Sequence, residues 1–426
     1  MDDLLLLVHR IPYPPNKGDK LRSFNLLKQL SRRYRVHLGT FIDDERDWQY
    51  VDDVRALCGG ETHFARLSPR AAKLRSLPSL LSSRPLSLAY YRDRGLRRWV
   101  RRVLREQPVR RVLVFSSAMA QYVDDKGAAA LRRVMDFVDV DSDKWRQYAA
   151  SQAWPMNWVY RREARTLLPY ERRIAAAFDA SAFVSAREAD LFKSLAPETA
   201  ARVWGIRNGV DSDYFDPALP SPAPYPLHDR PIVFTGAMDY WANVDAVTWF
   251  AKQVLPAVRA QNEEARFYIV GARPTPEVNE LKRLPGVVVV GAVEDIRPYI
   301  AHAVLAVAPL RIARGVQNKV LEAMAMAKPV VASPQALDGI VCDVGREVLM
   351  AKDAADFAAQ VAALIERDGD PALARAARAR VLADYNWETN LRRFERLLEG
   401  APLDDDMKNG RPAMAGLAST GESFRP

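Results

Sequence analysis

Short apolar runs alternate with helix-like stretches along almost the whole chain. In the first half, the runs at residues 4–8, 35–42, 110–117, 132–140 and 180–185 predict strands. Helices are predicted between them, over residues 21–33, 94–106 and 160–178. Strands without a polar alternation are typical of a parallel sheet that helices cover on both faces. The first half is therefore predicted to be an α/β domain.

The same alternation restarts after a proline-rich break. Residues 207–231 contain six prolines and an Asn-Gly turn, which predicts an interdomain linker. Beyond it, strands are predicted over 231–238, 265–272, 287–293, 304–310 and 329–333, and helices over 244–260, 276–283, 295–302, 317–327 and 353–367. A last amphipathic helix is predicted over 386–400, capped by Asn386 or Thr389 and closed by Gly400.

We therefore predict two Rossmann-like, doubly wound parallel-sheet domains that face each other across a cleft. The first spans residues 1–207, the linker 208–230 and the second domain 231–385. The helix over 386–400 is expected to pack back towards the first domain. Residues 401–426 are rich in Asp, Gly, Ser and Pro, which predicts a disordered tail. Ligands of such sheets bind at the carboxyl ends of the strands, so the loops there matter most.

Composition narrows the class of protein. Hydrophobic residues make up 49% of the chain and charged residues 27%, which is typical of a globular protein. The two cysteines, Cys58 and Cys342, have no metal-like spacing, so we expect neither a disulfide framework nor a zinc site. The first apolar run, Leu4–Val8, is too short for a signal peptide or a membrane span. A cytoplasmic protein is expected.

The net charge of +9 is unevenly distributed. Residues 1–207 carry 38 Lys or Arg and 24 Asp or Glu, whereas residues 208–426 carry 24 and 29. A basic domain can contact anionic lipid headgroups, phosphate-bearing substrates or nucleic acid. A solvated Arg-rich surface explains the charge equally well. No zinc-finger, RNA-recognition or helix-turn-helix signature is found, so we expect no nucleic-acid partner.

The stretch after the predicted strand 304–310 combines a glycine, a helix start and two opposite charges. Gly315 permits a sharp turn or a close approach to a ligand, and the helix begins near Gln317. Helix N-termini favour anions, and Lys319 adds a full positive charge. Glu322, one turn later, could accept hydrogen bonds from a ribose diol. The alternative is an ordinary helix with an exposed Lys319–Glu322 pair.

Several segments together resemble a known enzyme family. "PLRIARGVQNKVLEAMAMAKPVVAS" (309–333), "GAVEDIRPYIAHA" (291–303) and "IRNGVD" (206–211) resemble the retaining GT-B glycosyltransferases of glycosyltransferase family 4. "HRIPYPPNKGDKLRSFNLLKQL" (9–30) and "DFVDVDSDKWRQYA" (136–149) are similar to the sugar transferases associated with PEP-CTERM exopolysaccharide loci, and "FTGAMDYWANVDAVTWF" (234–250) and "YNWE" (385–388) agree. The resemblance covers residues 4–400.

The resemblance implies a role for individual residues of the second domain. Glu322 corresponds to the second Glu of the family's E-x7-E motif, the ribose ligand, whereas Arg314 stands where the first Glu is expected. No Lys or Arg follows "FTGAM" before Lys252, so phosphate charge would fall mainly on Lys319, assisted by Arg314 or Arg311. The predicted donor-binding residues are Gly18, Gly236, Asn243, Arg314, Gly315, Val316, Gln317, Asn318, Lys319 and Glu322.

The first domain offers candidates in two loops. In "PPNKGDKLR", Gly18 would approach the donor closely, while Lys20 and Arg22 could bind phosphate or an anionic acceptor; a plain helix-start loop is the alternative. After the strand over 132–140, Asp139 could accept a proton from the acceptor or bond the donor sugar, and Asp141 could contact acceptor or phosphate. The alternative is that these acids only cap a loop.

The family's chemistry implies a retaining, metal-independent hexosyltransferase with Asp139, Lys319 and Glu322 as the catalytic set. The donor would be a UDP- or GDP-type sugar, and no further cofactor is expected. The acceptor would be a lipid-linked saccharide in exopolysaccharide synthesis at the inner face of the cytoplasmic membrane, where the helix around 97–105 could lie or simply cover its domain. The alternatives are a GT-B sugar-nucleotide epimerase and a non-catalytic basic module that binds membrane or nucleic acid.

Overall fold

The computed structural model describes residues 1–15, 18–124, 130–150, 152–313, 315–401 and 403. Within these ranges, seven parallel strands form the first sheet in the order β3-β2-β1-β4-β5-β6-β7. Their bounds are β1 (Asp2–Val8), β2 (Tyr34–Ile42), β3 (Gly59–Arg66), β4 (Arg111–Phe115), β5 (Arg132–Val138), β6 (Ala180–Phe183) and β7 (Val203–Gly205).

Helices cover both faces of this sheet. They are α1 (Gly18–Leu30), α2 (Val51–Cys58), α3 (Pro69–Ser76), α4 (Leu86–Tyr90), α5 (Arg94–Glu106), α6 (Asp141–Ala150), α7 (Met156–Ala177) and α8 (Ala186–Leu195). Residues of β1 show the double coverage: Leu5 and Leu7 belong to one apolar cluster, Leu4 and Leu6 to another, and none of the four is accessible to solvent. The uninterrupted apolar strand therefore reflects burial on both faces.

The second sheet has six parallel strands in the described ranges, in the order β10-β9-β8-β11-β12-β13. The strands are β8 (Arg230–Thr235), β9 (Ala265–Val270), β10 (Val287–Gly291), β11 (Leu305–Ala308), β12 (Val330–Ala332) and β13 (Leu349–Met350). The helices are α9 (Trp241–Trp249), α10 (Leu255–Gln261), α11 (Pro276–Glu280), α12 (Arg297–Ala301), α13 (Asn318–Ala325), α14 (Pro334–Leu337), α15 (Ala354–Glu366) and α16 (Pro371–Asp384).

The predicted doubly wound pair of parallel-sheet domains is confirmed, and the differences lie in individual elements. The sequence analysis predicted one helix over 244–260, whereas a π-helical turn at Phe250–Val254 separates α9 from α10. It omitted the strand β3, whose side chains are mostly only half-buried, and the Ala- and Arg-rich helix α16. It also predicted no helix over Asp141–Ala150, although these residues form α6. None of the described helices has the length and apolarity needed to cross a bilayer.

The last helix, α17 (Trp387–Glu399), lies against the first domain rather than the second. The predicted cap is confirmed: the Asn386 side chain accepts a hydrogen bond from the Thr389 N–H, and Gly400 ends the helix with φ 75°. Trp387, Leu391 and Phe394 join the apolar cluster that contains β1. Apart from 401 and 403, the predicted tail lies outside the described residues.

A fully buried arginine joins these parts. The Arg22 guanidinium on α1 donates to both carboxylate oxygens of Asp136 on β5, at 2.8 and 3.1 Å. It also donates to the Ile206 carbonyl and to Asn208 Oδ1, each at 2.9 Å. The central carbon of the guanidinium group, Cζ, lies 5.4 Å from the ring centre of Phe394 on α17. One side chain thus connects a helix, a central strand, the start of the linker and the terminal helix.

We predict that Arg22→Met lowers the free energy of unfolding by about 3–5 kcal/mol, because it leaves the Asp136 carboxylate buried without its partner. Urea unfolding followed by circular dichroism measures the change. Arg32→Met is the matched control, since the exposed Arg32 contacts Glu388 at 3.5 Å and should contribute less than about 1 kcal/mol. Equal losses in the two variants would contradict a central role for Arg22.

Candidate functional site

The carboxyl ends of strands from both sheets line a cavity of about 100 Å³ between the domains. Asp139 and Ser185 come from the loops after β5 and β6, and Gly315 and Gly339 come from the loops after β11 and α14. The side of the cavity also carries an interdomain ion pair between Arg187 and Asp338. The cleft expected between the two domains is therefore present, and the predicted loops face it.

On the second-domain side, three predicted residues meet. Lys319 Nζ lies 2.5 Å from Asn243 Oδ1 and 4.4 Å from the ring centre of Phe234. The Asn243 amide nitrogen donates to the Ala237 carbonyl at 2.9 Å, which fixes the amide so that its oxygen accepts from Lys319. A Cβ on Gly236 would lie only 2.8 Å from Asn243 Nδ2 and 3.3 Å from Lys319 Nζ. Gly236 therefore keeps the space in which the ammonium group is held.

A second glycine, which the sequence analysis missed, supports this turn. A Cβ on Gly271, at the end of β9, would lie 1.7 Å from the Gly236 carbonyl oxygen. Gly236 and Gly271 have φ angles of 152° and 158°. The two neighbouring strands can therefore end this close together because Gly271 lacks a side chain. The signal was present in the sequence, since "TGA" after β8 and "VGA" after β9 repeat the same pattern.

Lys319 and Glu322 lie half-buried on successive turns at the start of α13. Burial lowers the pKa of Lys319 to about 7 and raises the pKa of Glu322 to about 7, and each charge partly offsets the shift of the other. Among the described residues, no side chain forms a hydrogen bond with the Glu322 carboxylate. The pair thus presents a cation held by an amide and a carboxylate that is open to a ligand.

The start of α13 has the features of an anion-binding helix end. Gln317 is the N-cap residue, but its side chain caps no N–H of the helix and instead donates to the Gly315 carbonyl at 3.3 Å. Gly315 has φ 63°, and Val316 packs near Gly339. Asn318 Oδ1 is buried and has no hydrogen-bond partner in the described part of the chain. Uncapped N–H groups at a helix start favour a bound anion.

Two arginines, Arg311 and Arg314, were predicted to assist Lys319 in binding phosphate. Arg314 lies outside the described residues. Arg311 forms a two-point ion pair with Asp245, one contact of which is 3.0 Å, so its charge is already neutralised. A cation that the sequence analysis missed is Arg273, in the loop after β9. It has φ 57° and pairs with Asp239 at 2.9 Å, and both side chains are largely exposed.

On the first-domain side, Asp139 and Asp141 flank a lysine. Lys144 Nζ lies 3.3 Å from Asp139 Oδ2, and Asp139 Oδ1 lies 3.9 Å from where a Cβ on Gly315 would be. Burial opposes the charge of Lys144, but Asp139 and Asp141 outweigh it and raise its pKa. Burial raises the pKa of Asp141, whose carboxylate accepts from Ser117 at 3.3 Å. Asp139 is thus the first-domain carboxylate that approaches the α13 loop.

His9, at the end of β1, is a further residue that the sequence analysis did not single out. Its ring stacks on Phe115 at 5.7 Å, and Nε2 lies 3.3 Å from Asp19. Its Nδ1 atom is buried and has no hydrogen-bond partner among the described residues. Its position directly after the first strand could have marked it as a site residue, because ligands bind at the carboxyl ends of such strands.

Lys20 and Arg22 have other partners than those predicted. Lys20 Nζ lies 2.6 Å from Asp47 Oδ2, and the side chain is buried. Arg22 is enclosed in the network around Asp136. Both charges are neutralised inside the first domain, so the expectation that they bind phosphate or acceptor is corrected to a structural role. Gly18 begins α1, and a Cβ there would meet nothing within 4 Å, so the geometry gives no reason for a glycine.

Metal-ligating side chains do not cluster in the described part of the chain: no group of three His, Cys, Asp or Glu could hold an ion. Both cysteines are free thiols.

Residues 229–367, most of the second domain, match the family model described as glycosyl transferases group 1. No curated protein sequence matches the chain.

Solved structures resemble the whole chain. A sucrose-phosphate synthase from Thermosynechococcus elongatus is 17% identical, with TM-score 0.64 and coverage of 94% of this chain and 99% of that one. A glycosyltransferase from Rickettsia africae is 13% identical, with TM-score 0.64 and coverage of 94% and 98%. Anabaena HepE in complex with UDP and glucose is 14% identical, with TM-score 0.62 and coverage of 94% and 100%. The chain therefore has the GT-B fold.

We predict that Gly271→Ala lowers the free energy of unfolding by about 3 kcal/mol, because the added methyl group would overlap the Gly236 carbonyl. Gly291→Ala is the matched control. Gly291 also ends a strand with positive φ, 84°, but a Cβ there meets nothing within 4 Å, so a loss of only about 1 kcal/mol is expected. Thermal unfolding compares the two variants, and equal losses would show that backbone strain, not the contact, explains both glycines.

Proposed function

We propose that this protein is a retaining glycosyltransferase that uses a nucleotide-diphosphate sugar as donor. The observation that carries the proposal is the Lys319 ammonium group, held by Asn243 beside the uncapped start of α13, with the open Glu322 carboxylate one turn away. A cation and free N–H groups fit a diphosphate, and a carboxylate fits a ribose diol. The match of the second domain to glycosyl transferases group 1 supports this assignment.

The donor diphosphate would lie on Lys319 and the N–H groups of α13, beside the turns at Gly236 and Gly315. Its sugar would extend into the cavity between Gly315 and Asp139. HepE, a structural neighbour, has been solved with UDP and with UDP-glucose, which supports a UDP-type donor here. A GDP-type donor is the alternative that the titration below separates.

In this proposal the protein acts chiefly by positioning and by stabilising charge. Lys319 and the helix start would stabilise the negative charge that develops on the leaving diphosphate, without a metal ion. Asp139 would orient the donor sugar or the acceptor hydroxyl across the cleft. Closure of the two domains would exclude water and so prevent hydrolysis.

The acceptor in this proposal is a lipid-linked saccharide, and the pathway is exopolysaccharide synthesis. The basic first domain supports an anionic acceptor at a membrane surface. Work at such a surface would make the protein a peripheral protein of the inner face of the cytoplasmic membrane.

Calorimetric titration with UDP, GDP and ADP, with and without EDTA, tests the donor site. We expect micromolar binding of one nucleotide that EDTA does not change. Lys319→Ala and Glu322→Ala should each weaken it by about tenfold to a hundredfold, since each removes a charge-assisted hydrogen bond.

Lys252→Ala and Glu366→Ala are the controls, because they remove the same charges from exposed positions of the second domain. If no nucleotide binds to the wild type, or if the site variants bind as tightly as these controls, the donor site is wrong. A non-catalytic basic module would then become the better explanation.

Nucleotide affinity should fall as the pH rises from 7 to 9. Burial lowers the pKa of Lys319 to about 7, so the amine loses its proton in this range, while a bound diphosphate favours the protonated form. Titrations at several pH values measure the trend. Lys319→Met should abolish it. A pH dependence that is retained in Lys319→Met would assign the titration to another group.

A further inference from the structure

A groove of about 1340 Å³ lies on the first domain, separate from the donor site. It runs between the loop over 79–85, the helix pair α4 and α5, and the outer face of α7. None of the predicted site residues lines it.

The groove is strongly basic. Among the described lining residues, Asp124 is the one carboxylate, and it pairs with Arg173 at 2.6 Å. Six arginines at the surface of the groove extend from four different segments: Arg84, Arg92, Arg97, Arg101, Arg165 and Arg173. A concave surface of one sign attracts an anionic partner.

The base of the groove contains polar atoms that form no hydrogen bond within the described ranges. Arg162 is 5% exposed, and its Nη2 atom donates to loop carbonyls, including that of Arg84 at 2.9 Å. Its Nη1 atom lies 3.7 Å from the buried Glu163 carboxylate but has no hydrogen bond in the described part of the chain. The hydroxyl group of Tyr170, a residue that is 7% exposed, is likewise unpaired. Both residues line the groove. Buried donors without partners are costly, so a ligand that accepts hydrogen bonds here would relieve that cost.

The rim is apolar and unusually exposed. Leu81 is 94% exposed and Trp158 is 51% exposed, and both line the groove. Trp154 and Leu77 do not line the groove but are close to Trp158 and Leu81 along the chain, and they are 80% and 52% exposed. A soluble phosphate compound would leave these side chains in water. Tryptophan and leucine beside arginines are instead the combination that enters a lipid headgroup region.

We propose that this groove docks on an anionic phospholipid bilayer, with lipid phosphates in the groove and Leu81, Trp154 and Trp158 in the interface. Arg162 and Tyr170 would donate to a headgroup at the base. The docking does not depend on the chemistry of the cleft.

Its consequence for catalysis rests on the proposed function. Tyr91, which follows α4, packs its ring against that of His9, with 5.7 Å between the ring centres. Gln121, which lines the groove, belongs to a short 3-10 helix over Ser117–Tyr122. The first residue of this helix, Ser117, donates a hydrogen bond to Asp141. The groove therefore borders the acceptor side of the cleft. Docking would bring that side to the surface where a lipid-linked acceptor resides.

Co-sedimentation of the full-length protein with phosphatidylcholine vesicles, with and without phosphatidylglycerol, tests the proposal. We expect binding only to the anionic vesicles, weakened by salt. Arg92→Glu/Arg165→Glu should reduce the affinity by at least about tenfold. The control is Lys282→Glu/Arg375→Glu, which makes the same change of charge at exposed positions of the second domain. This variant should bind anionic vesicles much more tightly than the groove variant.

The apolar rim is tested by Leu81→Ser, with Leu227→Ser as control, because Leu227 in the linker is equally exposed. We expect a loss of affinity of about threefold or more in Leu81→Ser alone. Circular dichroism and nucleotide titration check that each variant is folded, so a failure of docking stays distinct from a failure of the donor site.

Three outcomes would overturn the proposal. One is equal binding to neutral and anionic vesicles. Another is equal affinity of the groove variants and their controls. The third is groove-dependent binding of soluble glycerol phosphate or of an RNA oligonucleotide that is as tight as binding to vesicles, which would assign the groove to a soluble anion or a nucleic acid.

Discussion

The buried ion pair between Arg22 and Asp136 is the interaction on which the arrangement of the first domain, the linker and the terminal helix depends. Arg22 and Asp136 are both inaccessible to solvent, so their charges are tolerated only together. The remaining Arg22 donors satisfy Ile206 and Asn208, at the point where the chain leaves the first sheet. Asn390 of α17 in turn donates to the Asn208 carbonyl at 3.2 Å. The chain therefore leaves the first domain and returns to it through one polar network.

The second constraint is close backbone approach at the ends of the second-domain strands. Gly271 allows β8 and β9 to end almost in contact, and Gly236 leaves the space in which Lys319 and Asn243 meet. The α13 loop reaches the same region through Gly315 and faces Asp139 of the other domain. The start of α13 thus brings the charge of Lys319 to the cleft, while the glycines leave the space that a ligand needs.

Much of this architecture could be predicted from the sequence because it rests on local signals. Apolar runs buried on both faces marked β1, β2 and β4, and the residues of the α13 start were found from Gly315, Lys319 and Glu322. β3 could not be found in the same way, since it begins with two glycines and its side chains are mostly half-exposed. The roles of Lys20 and Arg22 were beyond a sequence argument, because Asp47 and Asp136, 27 and 114 residues away, are neighbours only in the fold. Arg273 follows β9, the second strand of the domain, whereas the sequence argument for a phosphate-binding cation rested on the loop after β8.

Several unfavourable features of the structure lie at strand and helix ends that face the cleft, and together they support a functional site there more strongly than any one residue does. Val138 and Ser116, at adjacent strand ends, have φ angles of 71° and 74°, and a β-branched residue in that region is strained. Within the described ranges, the buried Asn318 Oδ1 has no hydrogen bond, and the desolvated Lys319 contacts an amide oxygen rather than a carboxylate. Folding alone would favour replacing each of these. Such features at the ends that face the cleft are expected of a surface that a ligand completes, since a bound anion would pair with Lys319 and occupy the uncapped start of α13.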